Sequence, residues 1–323
     1  MKNINTKFSL TLKNSPKNIV IVTGLSRSGK SMLAPILSSL KRAETLKMNY
    51  TLEQYPVLNH LGLMPDHVSI YLMRYMINFI IYDSMIGRNS NFRLSDWTSI
   101  WKSSDPRKYI ERLLSEEGDS VYDKIEEKDQ LNIFMFHNAL WHAKIFFQSF
   151  PDLKMIHLNR HPVDVIHSWY RRGYSSEFYL KKRSALTLIN FNNNNLPYYA
   201  KGWEQEYCSL SDMDRLIKMI NFINSNHNKT FRELSKKNQK QVLTINFDRM
   251  VTKSKNDLKI IKSFLNTDET MYTKTVMKKE RCPREIDMNE RAAKFEEIKE
   301  LATSDSVQLL QEMVHEYELQ SSE

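Results

Sequence analysis

The sequence is poor in cysteine: only Cys208 and Cys282 occur in 323 residues. Two thiols cannot build a disulfide framework, and neither has a metal-binding neighbour at short spacing. No pair of His or Cys residues has the arrangement of a metal site, so no metal is expected. Long apolar runs are missing too. The longest, around Met76 to Ile81, is far too short to span a bilayer, so no integral membrane segment is expected. The amino terminus lacks the basic start and apolar stretch of a secretory signal. With so few thiols, this points to a cytoplasmic, reducing setting. No G-x-S-x-G segment supports a serine hydrolase, and there is no internal repeat.

What is present is positive charge. The net charge is +9 and the sequence pI about 9.2, a balance that suits an anionic ligand. The basic residues are scattered and no nucleic-acid motif occurs, so nucleic acid is not an expected partner. Lys, Asn and Ile are frequent throughout, and part of the charge is compositional bias. Hydrophobic content of 41% and charged content of 26% are those of an ordinary globular chain.

The chain is organised around Asn18 to Leu37. Ile19 to Val22 is a β-branched run with the composition of a buried strand. Gly24 to Ser31 follows with the spacing G-x-x-x-x-G-K-S/T, and Met32 to Leu37 reads as the first turns of a helix. Strand, glycine loop and helix in that order are the context a phosphate-binding loop needs. Its backbone N–H groups and the helix start favour a dianionic group, with Arg27 and Lys30 supplying formal charge. Gly24, Ser26, Arg27, Ser28, Gly29, Lys30, Ser31 and Met32 are therefore candidate binding residues.

Further along, Lys41 to Met48 is expected to hold a second strand, and Thr51 to Ile86 one long amphipathic helix. Its Met and aromatic stripe (Tyr71, Tyr75, Met76, Phe79) is read as core. Leu131 to Phe136, Lys154 to Leu158 and Gln241 to Asn246 are further buried strands. Phe8 to Leu12 alternates like an edge strand. Gly173 to Pro197 reads as irregular, a candidate mobile loop at about 173–200. Apolar strands alternating with helices predict an α/β fold: three layers, a mostly parallel central sheet, helices on both faces, like a P-loop NTPase. Residues 1–323 are read as one such domain with a helical insertion at about 51–130. Ligands on these sheets gather at the carboxyl ends of the strands. That predicts one rim carrying the glycine loop, His137, Arg160 and Phe247-Asp248.

The motifs on that rim resemble those of sulfotransferases that use 3′-phosphoadenosine 5′-phosphosulfate (PAPS). The family's 5′-phosphosulfate loop resembles Arg27-Ser28-Gly29-Lys30-Ser31. Its 3′-phosphate segment, Arg-x-Pro-x-Asp with a later Ser, is similar to Arg160-His161-Pro162-Val163-Asp164 and Ser168. Phe150 to Leu158, Val242 to Met250 and Phe264-Leu265 resemble the runs around these motifs, so the resemblance spans about Ile19 to Leu265. It implies PAPS as cofactor and transfer of a sulfuryl group to a hydroxyl or amine. The acceptor would be a small molecule, a glycan or a glycolipid. The family usually has Thr where this chain has Lys30. That Lys completes a nucleotide-kinase-like pattern and keeps a P-loop kinase or NTPase using ATP and magnesium as the alternative, with Asp248 as its possible metal-binding carboxylate.

Sulfuryl transfer asks a protein for position, charge stabilisation and a base. Arg27 and Lys30 can neutralise the transferring group and the leaving phosphate. His137 is the first candidate base, in a place that resembles that of the family's catalytic His, although Met135 and Phe136 replace the Lys and Thr that precede it there. Other family branches use a Glu soon after the first helix, for which Glu44 and Glu53 are the candidates. Asp164 is read as capping or orienting, and His142, His157, His161 and His167 as structural. Tyr50, Tyr55, Trp97, Trp101, Trp169, Tyr170 and Tyr174 are candidate lining of an acceptor cleft. Oligomeric state is not legible.

Overall fold

A computed structural model describes residues 9–12, 16–175 and 186–322. Five stretches form one sheet: β1 (Ile19–Thr23), β2 (Lys47–Met48), β3 (Asn132–Met135), β4 (Lys154–Asn159) and β7 (Val242–Asn246). Its order is β2-β3-β1-β4-β7 and every pairing is parallel. The central strands are largely apolar on both faces because helices cover both. On one face Ile19, Ile21, Phe134 and Met155 pack with Met73, Ile77 and Phe146. On the other, Val20, Val22 and Ile156 pack with Leu33, Leu37 and Ile261. Fully burying each such side chain contributes about 1.5–3 kcal/mol, so the sheet is a firm base for whatever its ends carry. The expected α/β architecture is the one observed.

Since all five strands run one way, their carboxyl ends share a rim. The glycine loop leaves β1, His137 lies just past β3, Arg160 follows β4 and Phe247 follows β7.

Several local expectations are corrected. The single helix expected over Thr51–Ile86 is two, Tyr50–His60 and Asp66–Met85. Gly62 at φ +78° and Pro65, extended before the second helix, break it. The buried stripe of that second helix is Ser69, Met73, Ile77 and Ile81. Tyr75 and Phe79 are 45% exposed and stack outside it with Tyr71. Met76 of the expected stripe packs against the core; the helix is apolar on more than one face, so spacing alone misplaced Tyr75 and Phe79. The second strand shrinks to two residues, with Ala43 bridging to Leu131 before it.

Of the loop expected at about 173–200, residues 176–185 lie outside the described residues. The described part is not irregular. It holds a hairpin, β5 (Leu188–Phe191) and β6 (Asn194–Pro197). Asn192 and Asn193 turn it with φ of 48° and 65°, the left-handed pair a tight hairpin needs. The edge strand expected at Phe8–Leu12 falls partly outside the described residues, and residues 9–12 form no strand.

Candidate active site

The glycine loop owes its shape to backbone that few residues tolerate. Gly24 has φ +142°, and a Cβ there would lie 2.4 Å from the Leu158 carbonyl oxygen. Gly29 has φ +104°, and a Cβ there would lie 2.5 Å from the Phe247 ring. Neither position accepts a side chain. Arg27, between them, is also left-handed at φ 68°, an uncommon conformation for a residue with a Cβ. Trp169 pins the turn by donating from Nε1 to the Ser26 carbonyl at 2.9 Å.

Lys30 opens the helix Lys30–Ser38 and is buried. Its amine donates to the carbonyls of Gly24 at 2.9 Å and Leu25 at 2.6 Å. Burial pulls its pKa down to about 7; Glu53 opposes that pull and Arg27 adds to it.

The second motif closes on the first. Pro162 starts the helix Pro162–Tyr170 with its fixed φ, which carries Ser168. Arg27 Nε donates to Ser168 Oγ at 3.3 Å. Arg160 Nη1 donates to the Arg27 carbonyl at 2.8 Å, and its guanidinium lies 4.6 Å over the Phe247 ring. Residues 133 and 141 positions apart thus meet at Arg27.

A cleft of about 340 Å³ runs over this meeting point, lined by Arg27, Arg160, Arg281 and Arg284 with Ser31, Met32 and Phe247. Arg284 also lies over the Phe247 ring, at 5.4 Å. One carboxylate, Glu280, faces the four guanidinium groups, and burial raises its pKa. Ser28 Oγ and Arg160 Nε are buried without a hydrogen-bond partner among the described residues. Converging guanidinium groups, unspent donors and bare glycine backbone fit an anionic ligand.

Arg27, Gly29 and Ser31 also line a second cavity, of about 460 Å³. Here the two candidate bases prove to be partners. Asn49 caps the helix Tyr50–His60 through its side chain, placing Glu53 in the first turn. Glu53 Oε1 accepts from the His137 backbone N–H at 3.0 Å and from Nδ1 at 3.0 Å, with Oε2 3.3 Å from Nδ1. A carboxylate only accepts, so Nδ1 carries the proton and Nε2 of the neutral ring is the free base. Both side chains line the cavity.

Glu44 is not at this site. It is 2% exposed and holds Arg112 through two 2.9 Å contacts and the Tyr109 hydroxyl at 3.0 Å. Burial would raise its pKa, but Arg112 and Lys108 overcome that and bring it to about 2. It is a structural anion. Of the aromatic candidates, Tyr50, Trp97, Trp169 and Tyr174 line the cavity; Tyr55, Trp101 and Tyr170 do not. Asp164 is spent on ion pairs with Arg291 at 2.7 Å and Lys294 at 3.1 Å. Arg291 also holds both oxygens of Asp248, at 2.8 and 3.0 Å, which leaves that carboxylate poorly suited to a magnesium ion. His167 pairs with Glu297 at 2.9 Å, and His142, His157 and His161 are buried.

Sequence reasoning missed Arg281, Arg284, Gln54, Tyr198 and Tyr199. Two arginines flanking Cys282-Pro283 just past a helix end were a usable signal; the tyrosines, on a single short 3-10 turn after the hairpin, gave none.

A family model described as a sulfotransferase domain matches residues 17–322. No curated protein matches the sequence. Among solved structures, the sulfotransferase domain from the Synechococcus PCC 7002 olefin synthase superposes with a TM-score of 0.44 at 14% identity, covering 95% of this chain and 98% of that one. A sulfotransferase from Alicyclobacillus acidocaldarius gives 0.38 at 14% identity, covering 94% and 96%. One from Mycobacterium avium gives 0.40 at 10% identity, covering 89% and 77%.

Proposed function

This chain belongs to the sulfotransferase domain family, and on that premise we propose that it moves the sulfuryl group of PAPS to a hydroxyl or amine. The acceptor, a small molecule or a carbohydrate or lipid precursor, would lie in the 460 Å³ cavity. Residues 1–323 act as one sulfotransferase unit in this reading. The observation that carries it is the junction at Arg27, where the glycine loop and the Arg160/Ser168 motif touch directly.

The residues fit the donor at both ends. The loop N–H groups, Ser31 and Lys30 suit the 5′-phosphosulfate, with Gly24, Ser26, Ser28, Gly29 and Met32 shaping the cradle. Arg160 and Ser168 suit the 3′-phosphate, and Arg281 and Arg284 add charge to the same cleft. When bound, the donor supplies an activated sulfuryl group whose bond to the 5′-phosphate oxygen breaks as the acceptor's bond forms. His137 takes the acceptor proton at Nε2, and Glu53 holds the ring in the required tautomer and stabilises its charged form. Arg27 and Lys30 offset the negative charge that gathers on the leaving phosphate. The acceptor cavity offers tyrosine and tryptophan faces beside the polar dyad, which suits a hydroxylated ring.

The test is transfer of label from radiolabelled PAPS to a panel of hydroxylated and amine acceptors. The reading predicts a labelled organic product from the wild type, formed about 10²–10⁴-fold more slowly by His137→Ala. Label transfer from ATP instead, dependent on magnesium, would replace this reading with the kinase one.

A further inference from the structure

A third cavity, of about 400 Å³, shares no lining residue with the other two. One wall is the edge of the sheet. His157 and Asn159 on β4 pair in register with Thr244 and Asn246 on β7, and alternation puts all four on one face. Nearer the strand starts this face is apolar, with Met155 and Val242 in the core. A parallel sheet covered on both sides normally stays apolar; this one turns polar where the cavity opens.

The opposite wall is the helix Asp212–Glu233. Its apolar stripe, Leu216, Ile217, Ile220 and Ile223, is spent on another cluster. Towards the cavity it presents Asn221, Asn224, His227 and Asn228. Two polar walls therefore face each other inside the layered core.

The floor holds unspent hydrogen-bonding capacity. His227 is 1% exposed and His157 8%, and their rings meet edge to face at 4.9 Å. His157 Nδ1 and both ring nitrogens of His227 are buried without a hydrogen-bond partner among the described residues. Buried polar atoms left unpaired are costly, so they tend to mark a binding function. Burial pushes His157 down to about 4 and His227 well below its ordinary value, so both rings are neutral at pH 7. Arg249 and Glu316 leave the lining without net charge. Exposed Ser225, Thr244 and Gln320 mark an open mouth.

We infer that this cavity is a second ligand site, which takes a small, neutral, hydroxyl-rich molecule such as a sugar. Carboxamides and neutral imidazoles each both donate and accept, as hydroxyl groups do. Charge balance disfavours phosphates and cations. A planar base is disfavoured because no parallel pair of rings is offered: His157 and His227 pack against each other, and Tyr317 packs on His161. Phe231 leaves one aromatic face for the C–H side of a sugar ring.

The test is saturation-transfer NMR on the full chain with glucose, maltose and myo-inositol as probes. At least one should bind saturably, and Asn224→Leu with Asn228→Leu should weaken it about tenfold or more. Affinity for adenosine 3′,5′-bisphosphate should be unchanged in that variant. Should the double variant fail to fold, Ser225→Trp at the exposed mouth should block the same probe. No saturable binding by any of the three would overturn the inference. So would binding that survives these substitutions, because the sugar would then occupy the acceptor cavity instead.

Discussion

On the proposed reading, a donor held at the glycine loop meets Lys30, and its binding becomes proton-linked. In the free chain the Lys30 amine is buried against two carbonyls, and its pKa is about 7 rather than the ordinary 10.5. An anion bound at the loop favours the charged amine, so the bound-state pKa moves back towards the ordinary value. The sign follows: affinity is full below about pH 7 and falls as pH rises through it. The available linkage is about 3.5 pKa units, or about 4–5 kcal/mol as an upper limit. Between pH 7 and pH 9 the affinity for adenosine 3′,5′-bisphosphate should drop by up to about 50-fold, with up to about one proton taken up on binding at pH 8. Calorimetry in buffers of differing ionisation enthalpy measures both. Lys30→Thr should bind with little dependence on pH over the same range. A wild-type affinity that stays flat from pH 7 to 9 would refute the reasoning, since it would mean that Lys30 does not meet the anion.

Three other outcomes follow from the same geometry. His137→Ala should lower turnover about 10²–10⁴-fold, the usual span of general base catalysis, while leaving donor affinity intact; equal turnover would remove His137 from that role. Glu44→Gln should instead destabilise the fold by about 3–5 kcal/mol, because it leaves Arg112 buried without its anion, and denaturant unfolding reads this directly. Acid should unfold the protein steeply. His142, His157 and His227 are all held neutral by burial. Stability from these three is full above the unfolded pKa of 6.5 and is lost below it at up to about 4 kcal/mol per pH unit, as thermal melts between pH 7 and 5 would show.

The sheet was legible because four of its five strands fall in mainly apolar runs, which few other structures explain. The glycine loop was legible because Gly24 and Gly29 are imposed by backbone geometry, and such demands leave a fixed spacing. Arg160 and Ser168 were found through their motif, and parallel strands put them on the loop's rim. Other features depended on contacts that spacing cannot express. Glu53 and His137 are 84 positions apart, and their pairing needs the helix after β2 to cross the end of β3. Glu44 and Glu53 looked alike in sequence; the difference is Arg112, at the end of the helix Arg107–Glu111, which pairs with Glu44 and not with Glu53. Arg281 and Arg284 follow no strand, so the rim argument could not reach them. The hairpin around Asn192-Asn193 was hidden because its strands are short and half-exposed.

The central claim is that one adenosine donor is gripped at both ends, through Arg27, by the glycine loop and the Arg160/Ser168 pair. Titration calorimetry with adenosine 3′,5′-bisphosphate in the absence of magnesium tests it most directly. Binding should be tight and independent of metal, and Arg160→Ala should weaken it about 10–100-fold through loss of a charge-assisted contact. Equal affinity in that variant, or tighter binding of ATP with magnesium, would contradict it.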